Sequence, residues 1–355
     1  MSKIKGIKTI TEIKEQPKAI ESVIANIDAL VTSVTDIMQK EKPERVIFAG
    51  CGTSHYLALS AAAVFSRYNT VPAIAVTCSD LYFYPDSYIK DAKTLVVPFT
   101  RRSGTSEVKM AINKVREYPN VVTMSITCDE GSKDYNDYML LSPNAKEESV
   151  IMTKSYTSML VISTIFALVC GGKSELLEHV IKMPGSFAAM MDRFESIARD
   201  ITKGSPFDLY IFLGQGPLFG VASEAMIKVK EMVITNSECY SSLEYRHGPI
   251  SIADKDTFVT VLTDTVSEGF ERALLTEVKG IGAKTLVIGN TLAKETKNAA
   301  DYYIELNIHD DISLILPAFV ITLQMIGYYA AIEKDIDLDS PKNLSLAVIL
   351  EPIYK

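Results

Sequence analysis

The chain holds little with which to build a metal centre or a disulfide framework. Its five cysteines are Cys51, Cys78, Cys128, Cys170 and Cys239, scattered, odd in number and never spaced C-x-x-C. That pattern argues against a zinc site and predicts reduced thiols in a cytoplasmic protein. Cys51 and His55 have helical spacing for a metal pair, but no second ligand pair accompanies them, so no metal is expected. A basic run is also missing. Acidic residues number 44 against 36 Lys and Arg, for a net charge of −8. That argues against a nucleic-acid backbone as the main ligand. It does not argue against a phosphorylated small molecule, because one local pocket can oppose the global charge. The opening "MSKIKGIKTI" has no apolar signal core.

What is abundant is apolar: hydrophobic residues make up 47% of 355 positions, enough for two α/β domains with a large core. Ile312 to Ile332, "ISLILPAFVITLQMIGYYAAI", carries no charge and is long enough to span a bilayer. Pro317, Gln324, Gly327 and two tyrosines favour a helix buried in a protein core instead, with "ISLIL" as a short strand and Pro317 in the first helical turn. Ser155 to Gly172 reads as a second core helix. No membrane partner is expected.

An internal repeat organises the chain. "FAGCG" at Phe48–Gly52 has an echo in "FLGQG" at Phe212–Gly216, each closing an apolar strand and opening a helix. "TLVVPFT" from Thr94 pairs with "TFVTVLT" from Thr257, and "VVTMSIT" from Val121 with "KTLVIGN" from Lys284. The uncharged helices near Val161 and Val320 complete the series. Each copy alternates β-branched runs with helical patterns, which predicts two α/β domains, each a parallel sheet flanked by helices on both faces. The expected division is a helical lead-in over 1–40, a first domain over 41–185, a linker helix over 186–204, a second domain over 205–340 and a tail over 341–355.

Glycine-rich turns between a parallel strand and a helix present backbone N–H groups to anions. "GCGTS" supplies Cys51, Gly52, Thr53 and Ser54; "RRSGTSE" supplies Ser103, Gly104, Thr105 and Ser106 beside Arg101 and Arg102. Together the turns point to a phosphate site. They are not a P-loop, since no Gly-Lys-Ser/Thr follows, nor a G-x-G-x-x-G dinucleotide turn, since His55 stands where the third glycine belongs. The second copy lacks these hydroxyls and carries Asp264, which would repel phosphate.

Chemistry would come from that second copy. Glu224, Lys228 and Glu231 share one helix face, and His247 follows in "YRHGP". Alone, the helix face reads as a solvated Glu–Lys pair. With an imidazole and a phosphosugar nearby, it suits proton abstraction and ring opening.

These residues carry a resemblance. In order, "EIKEQPKAI", "GCGTS", "SGTSE", "EESVIMTKSYTSM", "EAMIKVKEM", "EYRHGP" and "DSPKNLSLAVILE" resemble the motifs of the tandem sugar-isomerase (SIS) family. The match is to the isomerase half of glutamine–fructose-6-phosphate aminotransferase and its free-standing isomerase, deaminase and deglycase relatives. The resemblance implies two SIS domains and no cofactor. It implies that Ser54, Ser103 and Ser106, with Thr53 beside them, bind the sugar phosphate, and that Val150 lies at the sugar. It implies Glu231 as the base between C1 and C2, Lys228 in the site, and His247 opening the ring from the neighbouring subunit of a homodimer.

Two departures stand out. Arg101 and Arg102 replace the aminotransferase pattern's serine and glutamine. Leu346 occupies the register of the tail lysine that forms a Schiff base, and leucine forms no imine; Lys342 and Lys355 are out of register. The expected reaction is therefore removal of nitrogen from an amino-sugar or fructosamine 6-phosphate, whose own amine supplies the imine chemistry. The alternatives are aldose–ketose isomerisation and a phosphosugar sensor without turnover.

Overall fold

The computed structural model describes residues 5–204 and 207–350; Lys355 lies outside them. The chain forms two compact units. The first comprises Glu15–Pro184 and the chain from Asn343 onward; the second comprises Gly185–Lys342 and the chain up to Lys14.

The first unit is built on five parallel strands: β1 (Arg45–Gly50), β2 (Ala73–Thr77), β3 (Thr94–Thr100), β4 (Val121–Thr127) and β5 (Tyr138–Leu141), in the order β2-β1-β3-β4-β5. Every residue of β3 is buried, which explains its unbroken apolar run. Alternation along β1 sends Phe48 to one face and Ile47 and Ala49 to the other. Phe48 stacks on Phe99 at 5.9 Å and meets Phe65 and Phe166 of the helices Thr53–Tyr68 and Lys154–Cys170. Ile47 and Ala49 join Val108, Ala111 and Ile112 of the helix Ser106–Val115. Each fully buried Phe, Ile or Val among them contributes about 1.5–3 kcal/mol.

The second unit has β6 (Leu209–Leu213), β7 (Asn236–Tyr240), β8 (Thr257–Leu262), β9 (Lys284–Gly289) and β10 (Tyr302–Glu305), all parallel. Their order, β10-β9-β8-β6-β7, is the first sheet's order read from the opposite edge. The duplication and the α/β class expected from the sequence are both present. The helices Pro217–Val233 and Leu316–Glu333 pack together, while Leu274, Leu275 and Val278 of Glu268–Ile281 join the strands' other core cluster.

Some local expectations change. The helix Leu316–Glu333 is buried almost throughout, with Pro317 in its first turn, as expected. "ISLIL" is not a strand: Ile312–Leu314 is a 3₁₀ turn, because the Asp311 carboxylate accepts the Ser313 N–H at 3.0 Å. Among the described residues three helices, not one or two, precede β1: Ile7–Lys14, Gln16–Ile24 and Ile27–Glu41. The first belongs with the second unit, where Asp339 receives the Thr9 N–H at 3.2 Å. The helix expected from Ser186 is the later part of Leu177–Thr202, which runs on through Pro184.

Candidate functional site

The first unit supplies two turns at the carboxyl ends of neighbouring strands. β1 and β3 pair directly, Ala49 opposite Pro98, so the turns that follow them start side by side. The first turn depends on glycine. A Cβ on Gly50 would lie 2.3 Å from the Ser54 carbonyl carbon. Gly52 caps the helix at φ 53°, ψ −126°, a conformation that L side chains rarely adopt. The turn thereby sets Thr53 and Ser54, both largely buried, in the helix's first turn. This helix end favours negative charge.

The second turn is pinned by a residue that the sequence reading passed over. Asp129, just past β4, accepts the Ser103 N–H and the Ser103 hydroxyl, each at 2.9 Å, and the Gly131 N–H at 3.2 Å. The Ser103 backbone bond, followed by the Gly131 N–H, holds the Asp129 carboxyl below its ordinary range, against burial. To serve a phosphate, the Ser103 hydroxyl would turn its proton away from Asp129. Thr105 caps the next helix, with Gly104 exposed before it and Ser106 as its first residue.

The C-terminal segment lies on this turn. The Ser106 N–H donates to the Val348 carbonyl at 3.1 Å, and the Ser106 hydroxyl accepts the Leu350 N–H at 3.0 Å. Ser106, expected as a phosphate ligand, is thus engaged by protein in this structure. Arg101 does not point its charge at an open site either. It donates to the fully buried Glu147 at 3.0 Å and to the carbonyls of Val150 at 3.0 Å and Leu346 at 3.2 Å. The Val150 carbonyl is therefore held by Arg101. Arg102 donates to the Glu147 carbonyl at 2.8 Å. Glu147 also accepts from the backbone and hydroxyls of Thr153 and Ser155. "KEES" gave no signal for this role; a buried carboxylate meeting an arginine is a tertiary fact.

The second unit repeats the first turn with other contents. Gly216 sits at φ 54°, ψ −124°, close to Gly52, and a Cβ on Gly214 would lie 2.6 Å from the Leu218 carbonyl oxygen. Pro217 stands where Thr53 does and removes an N–H donor. After β8, the Asp264 carboxylate accepts the Val266 and Ser267 N–H groups at 2.9 and 3.0 Å and the Ser267 hydroxyl at 3.1 Å. A side-chain anion satisfies this turn from within.

The helix Pro217–Val233 carries the charged group that matters most. Its Ala225, Val229 and Met232 meet the core. Glu224 and Lys228 are each 1% exposed, so the solvated-face reading fails. The Lys228 ammonium lies 2.5 Å from the Glu231 carboxylate and 3.7 Å from that of Glu224. Gln324, on Leu316–Glu333, donates to Glu224 at 3.2 Å. Glu231 remains 20% exposed, so one carboxylate of the cluster is reachable. Burying such charges is costly, and their occurrence together marks a candidate functional group. His247 ends the turn Glu244–Arg246 and is exposed, before Gly248 at φ 129°. Arg246 beside it is fixed by two bonds to Glu277, at 2.7 and 3.0 Å.

Comparison with known proteins agrees with this repeated architecture. The model of the SIS domain matches residues 38–169 and again 210–334. The chain is 28% identical over 349 residues to the glutamine–fructose-6-phosphate aminotransferase of Sulfurisphaera tokodaii, covering 96% of this chain and 56% of that protein. It is 24% identical over 345 residues to that of Methanothermobacter thermautotrophicus, covering 96% and 57%. The chain thus spans about half the length of the curated relatives it matches. Among solved structures, glucosamine-6-phosphate deaminase from Thermotoga maritima aligns with a TM-score of 0.78 at 27% identity, over 97% of this chain and 100% of that one. Tagatose-6-phosphate ketose/aldose isomerase from Escherichia coli gives a TM-score of 0.85 at 22% identity, over 98% and 97%, a likeness of fold.

Proposed function

The chain belongs to the SIS-domain family, and from that premise we propose that it is an enzyme that removes nitrogen from an amino-sugar or fructosamine 6-phosphate. The observation that carries this reading is the buried Lys228 ammonium between Glu224 and Glu231. A buried ion pair adds little net stability, and a role in the chemistry accounts for this one. In the proposal Glu231 moves the proton between C1 and C2. Lys228 holds the Glu231 carboxylate in place, and the exposed His247, given by a second copy of the chain, opens the ring. Ser54, Ser103 and Ser106, with Thr53, hold the phosphate, and the sugar lies at Val150.

The nature of residue 346 favours nitrogen removal over amination. Leu346 offers no amine for a Schiff base, whereas an amino-sugar brings its own nitrogen. The 27% identity to a glucosamine-6-phosphate deaminase, over 97% of this chain and 100% of that one, supports the same choice. Plain aldose–ketose isomerisation would use the same base and imidazole, and is the outcome to be separated by experiment.

The deciding measurement is ammonia release from glucosamine 6-phosphate without glutamine, with fructose 6-phosphate followed in parallel. Both products in equal amounts support the proposal. Absence of ammonia from glucosamine 6-phosphate and from fructosamine 6-phosphates, with interconversion of a plain aldose and ketose phosphate, replaces it with the isomerase. No binding of any phosphosugar overturns the reading of the turns.

A further inference from the structure

Two of the five cysteines, remote in sequence, meet at the anion turn. β1 and β2 run in register with Gly50 opposite Thr77, so the residues that follow, Cys51 and Cys78, leave the sheet side by side. Adjacent strands lie about 4.8 Å apart, within the ~4.4–6.8 Å that a disulfide spans between Cα atoms. The two side chains pack in one apolar cluster. Both are free thiols.

Their surroundings differ in a useful way. Cys78 is fully buried at the start of the helix Cys78–Phe83, while Cys51 is half-buried between Gly50 and Gly52. Both line a cavity of about 240 Å³ with His55, Thr77, Ser79 and Glu107. The His55 Nδ1 is buried without a partner. Burial pushes the His55 imidazole below its usual range, so Nδ1 is an available proton acceptor in that cavity near neutral pH. The hydrogen bond to Cys51, then burial, pushes the Cys78 thiol up, so it waits protonated while its neighbour reacts.

We propose that Cys51 and Cys78 are a modification site: a reversible disulfide that fixes the Gly50–Ser54 turn and weakens its hold on phosphate. The oxidant is a peroxide. The Cys51 sulfur attacks one peroxide oxygen, the O–O bond breaks, and the thiol becomes a sulfenic acid with release of water. The Cys78 sulfur then attacks the Cys51 sulfur and displaces the hydroxyl, which leaves as a second water with the Cys78 proton. Two thiols lose two electrons and two protons; one hydrogen peroxide is reduced to two waters. A dithiol reverses the reaction. The consequence for ligand binding rests on the function proposed above. The bond tethers Cys51 to the helix that begins at Cys78, and the adjoining glycines transmit any shift to Thr53 and Ser54.

The test uses the reduced full chain, hydrogen peroxide and glucosamine 6-phosphate. Peptide mass mapping of the oxidised protein is expected to give the Cys51 and Cys78 peptides joined, lighter by two hydrogens. Glucosamine 6-phosphate affinity is expected to fall about tenfold and to recover with dithiothreitol. In Cys78→Ala the join disappears and Cys51 gains oxygen instead; if that variant does not fold, the wild-type map decides. Recovery of both cysteines as alkylated free thiols after peroxide overturns the site. A disulfide with unchanged affinity overturns its effect on the turn. Reduced protein that binds no phosphosugar counts against the proposed function, and the mass map still decides the disulfide.

Discussion

Arg101 donates a hydrogen bond to the backbone carbonyl of Leu346, 3.2 Å away. The same guanidinium holds the Val150 carbonyl and the buried Glu147 carboxylate. One arginine thus ties the strand-end turn, the segment before the helix Lys154–Cys170, and the C-terminal segment. Arg101→Lys keeps the charge but not the fork, and is expected to cost about 1–2 kcal/mol. Arg101→Ala leaves Glu147 buried without its cation and should cost about 3–5 kcal/mol. Denaturant midpoints measure both, and limited proteolysis between 343 and 350 reports release of the segment.

Glu231→Gln is expected to lower turnover of the proposed substrate by at least about a hundredfold while leaving its affinity within about twofold. Steady-state kinetics and titration calorimetry separate the two. Loss of binding with turnover would make Glu231 structural. Lys228→Met, by contrast, leaves Glu224 buried beside a missing cation and should destabilise by about 3–5 kcal/mol.

If His247 serves a second copy, two inactive variants should rescue each other. Mixed refolding of Glu231→Gln with His247→Asn is expected to restore up to about a quarter of wild-type activity, from the one site type with both groups intact. No recovery from a mixture shown to be heterodimeric would place His247 and Glu231 in the same chain's site, or His247 outside it.

The glycines of the first turn should separate by mechanism. Gly50→Ala puts a methyl 2.3 Å from backbone that cannot yield, and is expected to cost more than about 4 kcal/mol or to block folding. Gly52→Ala meets no atom within 4 Å, and pays only for φ 53°, ψ −126°, about 1–3 kcal/mol. Urea unfolding ranks them.

Acid stability should depend on Glu195. Burial opposes its ionisation, but hydrogen bonds from Lys14, Tyr329 and Arg199 win and bring its carboxyl down to about 2. Lys14 lies at 2.6 Å and Arg199 at 2.8 Å, with the Arg199 guanidinium over the Tyr329 ring. A carboxyl lowered on folding binds fewer protons folded than unfolded. Its contribution is complete above pH about 4.5 and is lost as pH falls toward 2. Allowing for solvent screening, Glu195→Gln should lower stability by about 1–2 kcal/mol at pH 6 and by little at pH 2. An equal loss at both pH values would mean that packing, not charge, is responsible.

Much of the fold was legible because it is written in local pattern. β-branched runs ending in Gly-x-Gly are strand-to-helix turns whatever surrounds them, and two copies in order reinforced each other. Position on a helix face was legible too: Glu224, Lys228 and Glu231 do lie together. Their burial was not, because it depends on the helix Leu316–Glu333, far along the chain, which supplies Gln324. Asp129 and Glu147 were missed for the same reason: the Ser103 N–H and the Arg101 guanidinium that reach them lie 26 and 46 residues away. "ISLIL" misled because a run of apolar residues fits a strand until an aspartate claims the N–H group of its second residue.

The bonds between Ser106 and the backbone at Val348 and Leu350 also order events in time. A ribosome makes Ser106 244 residues before Leu350. Throughout that interval the Ser106 N–H and hydroxyl lack the partners that they have in the finished fold. The nascent chain therefore holds the SGTS turn before it holds the segment that covers it.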